Sequence, residues 1–150
     1  MALAENKRAY FDYDILDKYE AGIELLGFEV KSIKSGRINL SGSYVVTKEN
    51  QAWLINADVP PYQPKNMPEN YDSKRTRRLL LKRAEINTLI GKTHEKGLTL
   101  VPLKVYTKNA SGRIKIEFGL GRIRKKSDKR EVIKKRDVEK EMRTAKFKGV

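Results

Sequence analysis

The sequence predicts a mainly β fold: a small antiparallel barrel of about six strands with two or three short helices, followed by a basic tail. Three observations carry this expectation. Apolar and polar residues alternate with period two in several runs bounded by turn residues. Helical spacing is confined to short stretches, and over half of the net charge falls in the last fifth of the chain. One hundred and fifty residues are enough for one domain with a real core.

The first strand is expected within Tyr13–Leu25, where Tyr19, Ala21, Ile23 and Leu25 alternate with Lys18, Glu20, Gly22 and Glu24. Gly27–Ser35 reads as a short helix closed by Gly36, a residue that tolerates a left-handed backbone. Ser43–Val46 and Ala52–Val59 are β-rich and joined by Lys48-Glu49-Asn50-Gln51, which predicts a hairpin. Pro60, Pro61, Pro64 and Pro68 mark an irregular crossing from Val59 to about Tyr71. After Ser73, residues Leu79–Leu81, Ile86, Leu89 and Ile90 follow helical spacing and predict two short helices ending near Gly97. Leu98–Tyr106 and Arg113–Leu120 are the last strands, joined by Asn109-Ala110-Ser111-Gly112. These elements place the barrel in 1–121 and the tail in 122–150.

The chain holds 33 Lys and Arg against 19 Asp and Glu, a net charge of +14. Residues 1–121 hold 20 basic and 14 acidic side chains, while 122–150 hold 13 and 5. Such an excess calls for a polyanionic partner, either nucleic acid or an anionic membrane surface. The membrane reading is the weaker, because no apolar run approaches the ~20 residues that span a bilayer. No secretion signal is expected at Met1–Arg8, and cysteine is absent, so a cytoplasmic location is expected. Absent cysteines and a single histidine, His94, argue against thiolate chemistry and multi-His metal sites. The tail has too few apolar residues for a packed face, although Asp128 and Glu131 have capping-box spacing. It is expected to be disordered or marginally helical when free, and to order against a polyanion.

The densest basic segments are Arg124, Lys125, Lys126, Asp128, Lys129, Arg130 and then Lys134, Lys135, Arg136. Their plain alternative is a solubilising tail. A second basic patch, Lys74, Arg75, Arg77, Arg78, Lys82 and Arg83, falls on the first of the two expected helices. Arg75, Arg78 and Lys82 would share one of its faces, with Leu79–Leu81 turned inward. A snorkelling charged surface is the competing account. Asn6-Lys7-Arg8 joins two cations to an amide able to read a base edge. Phe28, Trp53 and Phe118 are expected in the core, while Tyr10, Tyr13 and Tyr19 could stack on bases. Glu29-Val30-Lys31 matches the E-x-K fragment of some Mg²⁺ nucleases, with Asp12, Asp14 or Asp17 as a further carboxylate. Three-residue patterns of this kind arise often by chance, so no catalytic residue, cofactor or metal is expected.

Six segments in order extend these readings: Asn6-Lys7-Arg8-Ala9; Tyr19-Glu20-Ala21-Gly22-Ile23; Gly27-Phe28-Glu29-Val30-Lys31-Ser32; Thr76-Arg77-Arg78-Leu79-Leu80-Leu81; Leu100-Val101-Pro102-Leu103; and Asp128-Lys129-Arg130 with Ile133-Lys134-Lys135-Arg136-Asp137. Together they resemble the SsrA-binding proteins, the small protein B family of bacterial transfer-messenger RNA chaperones. The resemblance implies an OB-type barrel that binds the tRNA-like domain of transfer-messenger RNA. It further implies delivery of that RNA to ribosomes stalled on truncated messages, for tagging of the incomplete peptide. Asn6 and Glu20 would touch the RNA, with Lys7, Arg8, Lys31, Arg75, Arg77, Arg78 and Lys82 around them. The tail would meet ribosomal RNA of the decoding centre and the mRNA path. Elongation factor Tu and alanyl-tRNA synthetase would be indirect partners through the charged RNA. Ser127 stands where members often carry an aromatic or histidine, and Val138 where some carry a bulky aromatic, which bears on stacking by the tail. The rivals are a general OB-type RNA chaperone or ribosomal accessory protein, and a Mg²⁺-dependent nuclease.

Overall fold

The computed structural model describes residues 2–61, 70–94, 97–108 and 112–124. The expected tail lies outside these from Lys125 onward, as does most of the proline-rich crossing. The described chain forms seven strands and three helices: β1 Ala2–Glu5, α1 Ala9–Asp12, β2 Tyr13–Ile23, α2 Gly27–Lys34, β3 Tyr44–Lys48, β4 Gln51–Ile55, β5 Arg77–Leu80, α3 Arg83–Thr93, β6 Leu98–Lys108 and β7 Arg113–Ile123.

The strands pair in the order β6-β3-β4-β5-β2-β7, and β7 returns to β6, so the antiparallel sheet closes on itself as a barrel. Closure removes the free edges that a small open sheet would expose. β6 is long enough to share one edge between two partners. Leu100 meets Val45 of β3, while Lys104–Tyr106 meet β1. Alternation sends Ala21 and Ile23 of β2, Leu100 and Val105 of β6, and Ile114, Ile116, Phe118 and Leu120 of β7 inward. Ile33 of α2 and Leu89 of α3 join the same core. The predicted hairpin at 48–51 is present, with Glu49 at φ 54° and Asn50 at φ 57° forming the two-residue turn whose twist suits paired strands. Gly36 closes α2 at φ 83°, as its sequence position predicts.

A second, smaller core lies outside the barrel wall, where Ala9 of α1 packs with Val101 and Leu103 over Tyr13 and Ile15. It exists because β7 presents Gly119 and Gly121 there. A Cβ on Gly119 would stand 2.8 Å from Ile15 Cγ2 and 3.2 Å from Leu103 Cδ1. Gly119→Ala should therefore cost about 1–3 kcal/mol. Urea unfolding of that variant, and of one also carrying Ile15→Ala, checks it: the second change should recover part of the loss.

Four sequence expectations need correction. Leu79–Leu81 is not helical: Arg77–Leu80 is β5, hydrogen-bonded to β4 through Ala52↔Leu79 and to β2 through Gly22↔Leu80. The shared helical face of Arg75, Arg78 and Lys82 therefore does not exist, and one helix, α3, follows instead of two. The strand was hidden because its inward positions are Arg77 and Leu79 and its outward ones Arg78 and Leu80, so apolarity does not alternate. The boundary at 121/122 falls inside β7, which runs to Ile123. Arg124 still donates its amide to Asp12 O at 2.9 Å and its Nε to Tyr13 O at 3.2 Å. Of the aromatics assigned to the core, Phe118 is fully buried. Phe28 and Trp53 are only half-buried: Phe28 sits edge-on to Tyr71, and Trp53 donates Nε1 to Lys48 O at 3.1 Å. β1 and α1 were not anticipated.

Beneath β5 lies an ion-pair cluster. The Glu29 carboxylate is fully buried and accepts from Arg75 Nη2 at 2.5 Å, Arg77 Nη2 at 2.5 Å, Tyr71 Oη at 2.9 Å and the Leu26 amide at 2.8 Å. Arg77, also fully buried, spreads its remaining donors over Ala57 O and Ser73 O at 2.8 and 3.0 Å. Buried charges persist when paired and fully hydrogen-bonded, and here both conditions hold. This clamp fastens α2 to β5 and to the chain leaving the crossing.

Candidate nucleic-acid interface

Beyond the second core, the outward side of β2, β7 and β6 is polar from Lys18 to Gly22, from Lys115 to Glu117 and from Lys104 to Lys108. Register brings Glu20, Glu117 and Lys104 into one row across the three strands, and Gly22, Lys115 and Tyr106 into the next. Glu20 reaches across β7 and accepts from the Tyr106 hydroxyl and from Lys108 Nζ at 2.9 Å. The Lys108 donation, with that of Tyr106, holds the Glu20 carboxyl below its ordinary value of 4.5, so it stays ionised. Burial, and then the Glu20 charge, pushes the Tyr106 phenol up. On this face Glu117 lies 4.0 Å from Lys18 and 3.8 Å from Lys104, whereas Asp17, on the Tyr19 side of β2, pairs with Lys92 of α3 at 2.9 Å. The face is thus a lattice of matched charges rather than a field of one sign.

Beside Glu20 the wall of the barrel opens into a groove of about 580 Å³, lined by Gly22, Gln51, Arg78, Leu80, Lys82 and Lys115. Its cations come from three elements: Arg78 from β5, Lys82 from the N-cap of α3, and Lys115 from β7. Glu85 accepts from the Lys82 amide at 3.1 Å, fixing the start of α3 at the groove rim. Leu80 stands outward and 48% exposed, an apolar side chain within a charged surface.

A second cleft of about 390 Å³ lies toward the start of β2, lined by Asn6, Arg8, Tyr13, Ser41, Tyr44 and Thr99 among others. Asn6 is fixed there by its Nδ2, which donates to Pro102 O at 3.0 Å. Arg8 pairs with Asp12 at 3.4 Å and lies over the Phe11 ring, while Lys7 points to solvent.

The structure therefore gathers Glu20, Arg78 and Lys82 at one groove and Asn6 with Arg8 at another cleft. Lys31 is exposed on α2. Arg75 and Arg77 are not offered to a ligand in the same way. Arg77 has no accessible surface, and Arg75 gives its guanidinium to Glu29 and to Glu24 O. Of the tail residues assigned to the ribosome Arg124 alone is described; Lys125, Lys126, Asp128, Lys129, Arg130, Lys134, Lys135 and Arg136 lie outside the described residues. Sequence reasoning missed Tyr106, Lys108, Lys115 and the outward Leu80. Lys104, Tyr106 and Lys108 alternate with Val105 and Thr107, so a strand carried two residues further would have placed Lys108 beside Tyr106. The E-x-K reading of Glu29 meets a carboxylate already taken by Arg75, Arg77 and Tyr71.

Comparison with known proteins gives the family of the chain. The family profile described as SmpB protein matches residues 3–148. The SsrA-binding protein of Gloeothece citriformis is 50% identical over 143 residues, covering 95% of this chain and 91% of that protein. That of Carboxydothermus hydrogenoformans is also 50% identical over 143 residues, covering 95% and 94%. A chain solved in the work on tmRNA–SmpB at the center of the bacterial ribosome is similar with a TM-score of 0.68 and 42% identity, over 87% of this chain and 93% of that one. With a family profile spanning nearly its whole length and relatives at half identity, this chain belongs to the SmpB family.

Proposed function

We propose that the protein binds the tRNA-like domain of transfer-messenger RNA through the β2–β7–β6 face and its groove, and delivers that RNA to stalled ribosomes for trans-translation. The observation that carries this reading is the groove itself. An ionised acceptor, Glu20, stands among Arg78, Lys82 and Lys115, which suits a ligand with phosphates and base-edge or 2′-hydroxyl donors. Asn6 and Arg8 at the second cleft, with the neighbouring Lys7, supply a further contact to the same RNA. The barrel, 1–124, is the RNA-binding unit, and the tail meets the decoding centre and the mRNA path. The protein acts by binding, with no catalytic residue of its own. Among the described residues no helix is long and apolar enough to cross a membrane, and the work of the protein belongs with cytoplasmic ribosomes.

Competition separates this reading from a general RNA chaperone. Labelled tRNA-like RNA should resist displacement by bulk RNA, whereas a chaperone would release it in proportion to competitor mass. Glu20→Ala should weaken binding about tenfold, the loss of a charge-assisted contact, without lowering the thermal midpoint. Unchanged affinity would take Glu20 out of the interface.

A further inference from the structure

The hydrogen bonds at Glu20 leave a defined opening. Its Oε2 accepts from Tyr106 and its Oε1 from Lys108, so each oxygen has one protein donor. A carboxylate offers about four lone-pair sites, two on each oxygen. One therefore remains on each, and the side chain is 38% exposed at the groove. An ionised carboxylate accepts and cannot donate, so a single group that engages both oxygens brings two hydrogens side by side.

Among the nucleobases that arrangement belongs to guanine, whose N1–H and N2 amino group lie adjacent on its Watson–Crick edge. Adenine and cytosine present an amino group beside a bare acceptor, and uracil one N–H between two acceptors. Each would set an acceptor against a carboxylate oxygen. A guanidinium from a protein partner has the same paired donors but brings no phosphate for Lys82 and Lys115; the groove also holds Glu85, and Arg78 is paired with Glu24 at 2.9 Å.

The floor of the groove fits a base as well. Leu80 lies against Gly22, with its Cβ and Cδ1 3.4 Å from where a Cβ on Gly22 would be. Glu20 and Gly22 are on the same face of β2, about 7 Å apart along the strand. A ring lying on Leu80 thus brings its edge to the carboxylate. We propose that Glu20, aimed by Tyr106 and Lys108, reads the Watson–Crick edge of an unpaired guanine lying on Leu80, with Lys82 and Lys115 beside its phosphate. Tyr106 and Lys108 are positioning residues in this scheme. The inference rests on the proposed function and names what one part of that interface selects.

The test uses full-length protein and the tRNA-like RNA, with each unpaired guanosine replaced in turn by inosine, which lacks the 2-amino group. At one position inosine should weaken binding to the wild type about tenfold. In Glu20→Gln that guanosine-to-inosine ratio should fall toward one. Tyr106→Phe and Lys108→Met should also reduce the ratio, with thermal midpoints unchanged, an outcome that a merely structural role would not give. Absence of any inosine-sensitive position in the wild type overturns the proposal, and so does a sensitivity that survives Glu20→Gln. If the RNA is bound selectively and Glu20→Ala weakens it while inosine is tolerated everywhere, the guanine reading falls alone. If wild type shows no preference over bulk RNA, the proposed function falls with it.

Discussion

Glu29→Ala should destabilise the folded protein by about 3–5 kcal/mol, a large part of what holds a domain of this size together. The change strands Arg77, which has no accessible surface and loses the carboxylate that balances it. Glu29→Gln keeps the shape but removes the charge, and should cost less than the alanine while remaining clearly destabilising. The same residue sets an acid limit. Burial alone would raise its pKa, but donation by Arg75, the Leu26 amide and Arg77 outweighs this and brings it from 4.5 down to about 2. A carboxyl depressed in the folded state contributes stability that is fully present above its unfolded value. That contribution is lost as pH falls from about 4.5 through about 2. Urea unfolding at pH 6, 4 and 3 should show a decline in wild type that is smaller in Glu29→Gln. Parallel curves would mean that the carboxyl is not held in its charged form.

Ending the chain after Arg124 should abolish peptide tagging on stalled ribosomes and leave affinity for the tRNA-like RNA within about threefold. The removed residues, 125–150, carry 11 Lys and Arg against 5 Asp and Glu, the densest cationic stretch of the chain. If about half of those cations meet ribosomal phosphates, the salt dependence of ribosome binding should flatten by about 4 in the slope of log affinity against log salt. The cut is placed after Arg124 because an earlier one would remove the hydrogen bonds from that residue to Asp12 and Tyr13. Filter binding with the RNA and a tagging reaction on ribosomes with truncated messages read the two halves separately. Tagging that persists without these residues would remove the tail from the proposed mechanism.

What the sequence disclosed followed the physics of each element. β2 over 18–23 and β7 over 113–118 alternate in sequence because one side of each faces the barrel interior, so their inward and outward residues, Glu20 among them, could be named in advance; the second core over Ile15 and Gly119 breaks the pattern beyond. The hairpin at Glu49-Asn50 and the end of α2 at Gly36 are fixed by local backbone geometry and were equally readable. β5 was not, since a buried arginine at Arg77 is stable only because Glu29, 48 residues earlier, lies beside it. No local pattern carries that information. The same holds for the interface: Glu20 could be singled out, but its contact with Lys108 spans 88 residues and depends on three strands being in register. Arg75 and Arg77 looked like RNA contacts because charge counting cannot tell a solvated cation from one that serves an internal partner.

The hold on Arg124 also has a mechanical consequence. β7 meets the groove near Lys115 and ends at Ile123, about 26 Å away along the strand. Its ladders with β2 and β6 run almost that whole length, and their hydrogen bonds lie across the strand direction. Traction applied at residue 124 while the groove end is anchored would load those ladders in shear, all rungs at once, rather than unzip them singly. The barrel would then pass tension between its two ends as a stiff coupling, yielding later than one whose final strand could peel.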